Sequence, residues 1–351
     1  MGGMGMNFYA KRVKDLQALL KDAKIDALVV ARPLETAFLT GFSMDGYIML
    51  ISRSDAWAFM PKMLLEQFNS KAPFIKAASC DNTLEAVISK IKEHKFKKAA
   101  FEPETETYLR GQFWAKNGCL EKKGFIASLR LIKEGEEITA LRRSCRVAVE
   151  ALRRIKPGLK TGRTELSVAR ELEDLMQAKG AKGPSFNLII GFGPDSALPH
   201  HESSERKLKD NEAVLIDFGC VYGGYCSDMT RTFFHGRPTA EFLKVHAIVA
   251  AAQKAGVKAV KAGVKARLVD KTCRDYIADA GYGQYFIHGT GHGVGLEIHE
   301  APTLNTKSEE TLKAGMAVTV EPGIYLSGRF GVRIEDSVLV KKNGCEILTC
   351  E

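Results

Sequence analysis

No stretch of this sequence approaches the length of an apolar membrane span. The first residues, Met1-Gly2-Gly3-Met4-Gly5-Met6, lack the basic segment and apolar core of a secretion signal. Met6 stands where a myristoylation pattern needs Ser or Thr, so that pattern fails as well. None of the eight cysteines (Cys80, Cys119, Cys145, Cys220, Cys226, Cys273, Cys345 and Cys350) forms a C-x-x-C pair. They read as reduced thiols of a cytoplasmic protein, with Cys220 and Cys226 as packing or loop residues. H-E-x-x-H is missing, because His201-Glu202 and His299-Glu300 each lack the second histidine. There is no P-loop lysine and no G-x-S-x-G elbow, and Gly289-Thr290-Gly291-His292-Gly293 misses G-x-G-x-x-G in spacing. A dense basic stripe is lacking as well. The net charge of +9 is spread along the chain, with 20 Lys+Arg against 14 Asp+Glu in residues 1–132 and 31 against 28 thereafter. Neither nucleic acid nor a membrane is an expected partner.

The 351 residues suggest two domains. Residues 7–22 place Phe8, Val13, Leu16, Leu19 and Leu20 at helical spacing. Strand, hairpin and helix signals then alternate: a buried strand over Ile25–Ala31, a hairpin about Arg53-Ser54-Asp55, and a helix opened by Pro61. Strand, helix, strand follow over Phe74–Ala78, Thr83–His94 and Lys98–Phe101. The alternation predicts an α/β domain over residues 1–130, with no coherent catalytic constellation. The join falls near Leu129–Gly135, and residues 131–351 form the second domain. There a long helix carries Ile138, Leu141, Cys145, Ala148, Leu152 and Ile155 on one stripe. The next helix begins near Thr164, with Leu166, Ala169, Leu172, Leu175 and Met176 as its predicted inner face. Leu188-Ile189-Ile190 reads as a strand and Gly191–Pro194 as a loop.

One twelve-residue cassette occurs twice. Leu208-Lys209-Asp210-Asn211-Glu212-Ala213-Val214-Leu215-Ile216-Asp217-Phe218-Gly219 is matched, 104 positions later, by Leu312-Lys313-Ala314-Gly315-Met316-Ala317-Val318-Thr319-Val320-Glu321-Pro322-Gly323. Each copy is a strand-like apolar run ending in a carboxylate, which cannot stay buried and charged without a partner. Each has a second carboxylate downstream: Asp228 after the first, Glu335 after the second. The preceding segments also echo, Ile155–Lys160 against Val260–Lys265. The second domain therefore reads as two similar halves about a pseudo-twofold, which would bring Asp217 and Glu321 face to face.

Hairpins over Gly219–Ser227 and over Pro322–Ile334 would return Asp228 and Glu335 beside Asp217 and Glu321. Four carboxylates at one spot repel unless cations neutralise them. An oxygen-rich set with one imidazole suits Mn, Co or Fe better than a thiolate-type zinc site. Four acids are too many for one dication and suit two, and a pair of ions roughly 3.5–4 Å apart can hold a bridging hydroxide and polarise a carbonyl. The glycines around His292 would let the backbone pass close to a metal or substrate.

His288-Gly289-Thr290-Gly291-His292-Gly293, Val320-Glu321-Pro322-Gly323-Ile324-Tyr325 and Arg333-Ile334-Glu335-Asp336, with Asp217 and Asp228 upstream, resemble the pita-bread metallopeptidases. That family comprises Xaa-Pro aminopeptidases, Xaa-Pro dipeptidases (prolidases), methionine aminopeptidases and creatinase. The resemblance covers about residues 133–351 and implies an α+β pita-bread catalytic domain. The first domain is more loosely similar to the creatinase/prolidase N-terminal domain, which points to the proline-peptidase branch. By resemblance, Asp217, Asp228, His292, Glu321 and Glu335 would hold two divalent ions, manganese first, with Co, Zn or Fe as alternatives. Asp228 and Glu335 would bridge them, and Glu321 would also carry a proton. His288 and His299 match substrate-side histidines, as does His200, with adjacent His201 its rival. Arg333 would hold a carboxylate from behind. A homodimer is the family expectation.

Many dipeptidases of the family read H-E-W-P-R, where Arg can grip the substrate's free carboxylate. Here the segment is His299-Glu300-Ala301-Pro302-Thr303, and Thr cannot bind a carboxylate bidentately. Lys307 or Arg329 could substitute. The departure favours an Xaa-Pro aminopeptidase acting on peptides with proline second. The alternatives are a strict Xaa-Pro dipeptidase, a creatinase-like amidinohydrolase, and an inactive binding protein on the same fold.

Overall fold

The computed structural model of the protein describes residues 5–350 and divides into two compact units between Arg130 and Leu131. The first contains α1 (Met6–Asp22), β1 (Ala27–Val30), α2 (Pro33–Thr40), β2 (Ile48–Ser52), β3 (Ala56–Met60) and α3 (Lys62–Lys71). After these come β4 (Lys76–Ser79), α4 (Thr83–Glu93), β5 (Ala99–Phe101), α5 (Tyr108–Lys116), β6 (Leu120–Glu121) and α6 (Phe125–Leu131). The strands form one mixed sheet in the order β4-β3-β2-β1-β5-β6. β1, β2 and β3 are buried at every position, as continuous apolar runs must be when both faces of a sheet are covered. On α1 the inner face is Phe8, Val13, Leu16 and Leu20, with Leu19 only half-buried. Arg12 joins that face unexpectedly. Its guanidinium donates to Phe38 O at 2.8 Å and lies 3.9 Å from the Phe38 ring centroid. The short helices α2 and α5 carry too few apolar repeats for periodicity to reveal them.

The second unit is built from a repeated motif. Its first half contains α7 (Gly135–Ile155), α8 (Glu165–Gln177), β7 (Gly183–Pro184), β8 (Ile189–Phe192), β9 (Glu212–Phe218), β10 (Cys220–Tyr222), β11 (Tyr225–Cys226) and β12 (Met229–His235). The other half contains α9 (Ala240–Ala259), α10 (Ala266–Asp279), β13 (Gly291–Gly293), β14 (Glu300–Leu304), β15 (Ala317–Val320), β16 (Gly323–Leu326), β17 (Phe330–Arg333), β18 (Asp336–Lys341) and β19 (Gly344–Ile347). The main sheets run β12-β9-β8 and β14-β13-β15-β18-β19. Equivalent backbone bonds recur in both halves. Gly162 donates to Leu208 O and Leu208 to Arg163 O, each at 2.8 Å, while Gly263 donates to Leu312 O and Leu312 to Val264 O, also at 2.8 Å. The residue capping α8, Thr164, bridges Lys207, and the residue capping α10, Lys265, bridges Thr311. The two cassettes thus begin with the same backbone hydrogen-bond pattern. Each half has its own apolar core, one around Leu152, Leu172 and Ile216, the other around Val249, Cys273 and Val318.

Two expectations change. Val168 occupies the core position on α8 expected for Leu166. Leu166 and Ala169 are half-buried on the adjoining side, with Ala169 at the core's edge. The amphipathic stripe is rotated because α8 has a second surface to cover, described below. The expected loop Gly191–Pro194 is partly strand, since Gly191 and Phe192 continue β8 against Leu215 and Val214. All eight cysteines are free thiols, and burial pushes Cys220, Cys226 and Cys273 up, away from reactivity.

In unit one the buried acid Glu35 bears on stability. Burial, followed by the charge of Glu102, raises Glu35 from 4.5 to about 7, against the pull of Arg32 and Arg130. A carboxyl that holds its proton more tightly when folded stabilises the fold fully below the unfolded value. That contribution is lost as pH rises from about 4.5 through about 7. Glu35→Gln should therefore leave the melting temperature at pH 5 nearly unchanged and raise it at pH 8, by an effect on the order of 2–3 kcal/mol. Thermal melts of the full chain at both pH values test this, and equal shifts at both would contradict it.

Candidate metal centre

The four acids and His292 converge because the strands that carry them are paired. Asp217 lies inside β9 rather than beyond its end, opposite Thr230 of β12 and Ile189 of β8. The turn carrying β10 and β11 brings Asp228 back one residue before β12. In the second half, β15 ends at Val320, paired with Asp336, so Glu321 and Glu335 stand opposite each other at the next step. The halves are joined here by Glu335 N donating to Thr230 O at 3.1 Å, and within the second half Glu321 N donates to Thr290 O at 2.8 Å. His292 comes from β13, squeezed between β14 and β15. A Cβ on Gly293 would fall 2.2 Å from Ala301 O, and one on Gly291 would fall 2.1 Å from Thr319 O. These glycines therefore serve close strand packing, and Gly291, like Gly289, also lines the cleft above the acids.

Ligand atoms of Asp228, His292 and Glu335 lie within 4.8 Å of one another. His292 Nε2 is 3.5 Å from Asp228 Oδ2 and 3.3 Å from Glu321 Oε1, while its Nδ1 donates to Gly293 O at 3.0 Å. That second bond turns Nε2 toward the acids. Asp217 is held from the other half by Arg333, whose Nη2 donates to Oδ2 at 2.5 Å. Arg333 Nε donates to Thr230 Oγ1 at 3.1 Å, and Thr230 Oγ1 donates to Glu335 Oε2 at 2.7 Å. Arg333 Nη1 donates to Tyr325 OH at 2.7 Å, and that hydroxyl is 2.8 Å from His288 Nε2. Thr319 Oγ1 donates to Glu321 Oε1 at 3.0 Å.

The electrostatics demand a cation. Burial, then Asp217, pushes Asp228 far above the ordinary carboxylate range. Burial, then Asp228, does the same to Glu335. Burial also raises Asp217, although Arg333 opposes it. Burial disfavours charge on His292 and Glu321 too, but their mutual attraction overrides it, holding Glu321 near 2 and His292 at about 9. Two buried oxygens, Asp217 Oδ1 and Glu335 Oε1, have no hydrogen-bond partner among the described residues. Orphaned acceptors beside repelling acids fit a site built for divalent cations.

The cluster forms the floor of a cleft of about 940 Å³ in the second unit. His200, His288 and His299 all line it. His200 is exposed there and makes no hydrogen bond, whereas His201 Nε2 lies 2.8 Å from Glu165 Oε2 within a buried network that also includes Ser204. His201 is thereby held in place, and His200 is the one free to meet a ligand. His299 packs edge-on against His292, ring centroids 4.4 Å apart. His288 differs, because both of its ring nitrogens are engaged. Gly289 O can only accept, so Nδ1 carries the proton at 2.7 Å, and Nε2 accepts from Tyr325 OH. Burial lowers His288, in keeping with that neutral form. Thr303 lines the cleft, but Lys307 and Arg329 do not, and Arg329 is paired with Glu241 at 2.6 Å.

Tyr325, Thr230 and Thr319 were not assigned roles from sequence. Thr319 had a readable signal, since it lies two residues before Glu321 on one side of a strand. Tyr325 and Thr230 had none, because their partners come from other strands.

Fold and site together define a metal-dependent hydrolase on the duplicated pita-bread architecture. Metallopeptidase family M24 matches residues 139–342, and the Creatinase/Prolidase N-terminal domain matches residues 12–133. A relative from Pyrococcus furiosus named Xaa-Pro dipeptidase is 35% identical, covering 97% of this chain and 97% of that protein. The solved structure of an Xaa-Pro dipeptidase from Bacillus anthracis is 36% identical over 98% of both chains, with a TM-score of 0.94. An X-Pro aminopeptidase structure from Thermotoga maritima is 31% identical, covering 93% of this chain and 96% of that one, with a TM-score of 0.87. The chain belongs to metallopeptidase family M24, whose members bind divalent metals. Among the described residues no helix is long and apolar enough to cross a membrane.

Cation uptake must expel the proton shared by His292 and Glu321, so Mn binding should release protons and tighten as pH rises toward about 9. Calorimetry in two buffers of different ionisation enthalpy counts those protons; uptake without release between pH 6 and pH 8 would refute the arrangement. Tyr325→Phe should fold but lose roughly 10–100-fold in kcat or metal affinity, because Arg333 and His288 each lose a partner. Unchanged kinetics and metal affinity in a folded variant would show the hydroxyl to be idle.

Proposed function

We propose that the protein is an Xaa-Pro aminopeptidase that removes the residue before a penultimate proline and accepts peptides longer than two residues. The observation that carries this reading is Thr303 facing the cleft, with neither Lys307 nor Arg329 there to replace an arginine. A dipeptidase profits from a cation gripping the free carboxylate beside proline, and this position offers none. The dipeptidase reading is the second one, favoured by the names of relatives such as those from Pyrococcus furiosus and Bacillus anthracis.

Asp217, Asp228, His292, Glu321 and Glu335 would hold two divalent ions, with manganese the expected metal. Arg333 neutralises one of the four acids, and the remaining three negative charges exceed what one dication offsets. When bound, divalent ions supply Lewis acidity, polarising the scissile carbonyl and making water nucleophilic at neutral pH. Glu321 takes the proton of the attacking water and delivers it to the proline nitrogen as the bond breaks. His200 and His299 have ring nitrogens without protein partners and donate N–H to the oxygen as negative charge develops. His288, with both nitrogens occupied, fixes Tyr325 and through it the orientation of Arg333.

Asp228→Ala should abolish turnover, and chelation should do the same reversibly, with Mn or Co restoring it. Comparing Xaa-Pro dipeptide with Xaa-Pro tripeptide under both metals decides the substrate class. Cleavage of the tripeptide is the expected result, and cleavage of the dipeptide alone would overturn the aminopeptidase reading.

A further inference from the structure

The rotated face of α8 presents Leu166, Ala169, Arg170 and Glu173, at helical spacing i, i+3, i+4 and i+7, to the same cleft as the acid cluster. Arg170 is exposed, and no hydrogen bond or ion pair of the described chain engages it. The cleft's other arginine, Arg333, is wholly spent on Asp217, Tyr325 and Thr230. Glu173 is turned along the helix by Gln177, whose Nε2 donates to its Oε1 at 3.0 Å. Arg170 is therefore the guanidinium on this wall with its charge unspent. Glu173 and the exposed Glu202 share the wall and weaken its pull without pairing with it.

We infer that this face of α8 is a distal subsite for the C-terminal part of a peptide substrate. Leu166 and Ala169 provide the apolar floor, and Arg170 pairs with the peptide's terminal carboxylate. The inference rests on the aminopeptidase reading and deepens it. Topology sets the reach. β8 pairs with β9 at Ile189↔Asp217, and α8 packs beyond β8. One strand spacing is roughly 4.8 Å, and a packed layer adds roughly 10 Å. An extended dipeptide spans only about 7 Å. A dipeptide held at the acid cluster stops short of the α8 backbone, and a third or fourth residue brings the carboxylate within range of the Arg170 side chain. A cation there rewards longer peptides, in contrast to one at position 303.

The test uses the Mn-loaded full chain and peptides whose scissile amide is reduced to a methyleneamine, each made as C-terminal acid and C-terminal amide. Calorimetry should show the wild type binding tripeptide or tetrapeptide acids about threefold to fivefold tighter than the amides, the range of an exposed ion pair. Arg170→Gln should abolish that preference, Arg170→Lys should keep most of it, and dipeptides should show no dependence on Arg170. With cleavable tripeptides the same ratio should appear in KM and not in kcat. An acid-to-amide ratio near one in the wild type, or one unchanged by Arg170→Gln, would overturn the subsite. Binding is read without turnover, so a protein that cleaves only dipeptides would refute the aminopeptidase reading separately.

Discussion

The structure depends on the repulsion among four carboxylates that the fold places in one buried spot. At an effective dielectric of about 20, two like charges about 5 Å apart repel by roughly 3 kcal/mol. Asp217, Asp228 and Glu335 show the strain as carboxyls pushed above their ordinary range, and two of their oxygens lack any protein partner. The protein supplies one fixed positive charge, Arg333, and aims it at Asp217 alone. What remains is a deficit of cation charge. Arg333, Thr230 and Tyr325 hold the acids apart in a fixed arrangement rather than letting them collapse onto one another.

The duplication explains why such a site exists. Each half contributes a strand with an acid near its end and a hairpin that returns a second acid. The hydrogen bonds preceding each cassette are the same in both halves. The surroundings of the two acids are not. Asp217 is gripped by an arginine from the opposite half, whereas Glu321 is held by Thr319 of its own strand and by His292. Equivalent backbone thus carries chemically different carboxylates: burial raises Asp217 against the pull of Arg333, whereas His292 overrides burial and holds Glu321 near 2.

Much of the catalytic domain was legible because its signals are local. The stripe on α7, the cassette strands and the Gly-rich turn before His292 are all patterns within a few residues. The four acids stood out because the cassette repeats, so each acid advertised its counterpart, whereas His292 was singled out by the family resemblance. The inner face of α8 was misread for a physical reason. Leu166 is as apolar as Val168, and composition cannot say which of two adjacent stripes faces the core and which faces a cleft. The glycines flanking His292 were read correctly as sites of close approach, but the approaching group is neighbouring backbone.

Between His200 and His201 the sequence offered no means of choice. They are neighbours of one type, and only the buried Glu165, in the first turn of α8, captures one and leaves the other free. The engagement of His288 Nε2 was equally hidden, because its partner Tyr325 comes from a strand 37 residues away in the chain. By itself the sequence determined most of the chain's elements, its internal repeat and the four acids that the repeat pairs, since these follow from periodicity and residue chemistry. Only the tertiary structure decided which histidines face the cleft with a free nitrogen, which acid is held by Arg333, and that Arg170 stands unpaired on the cleft wall. Those are contacts between distant segments, and their energies depend on burial and distance that no local pattern encodes.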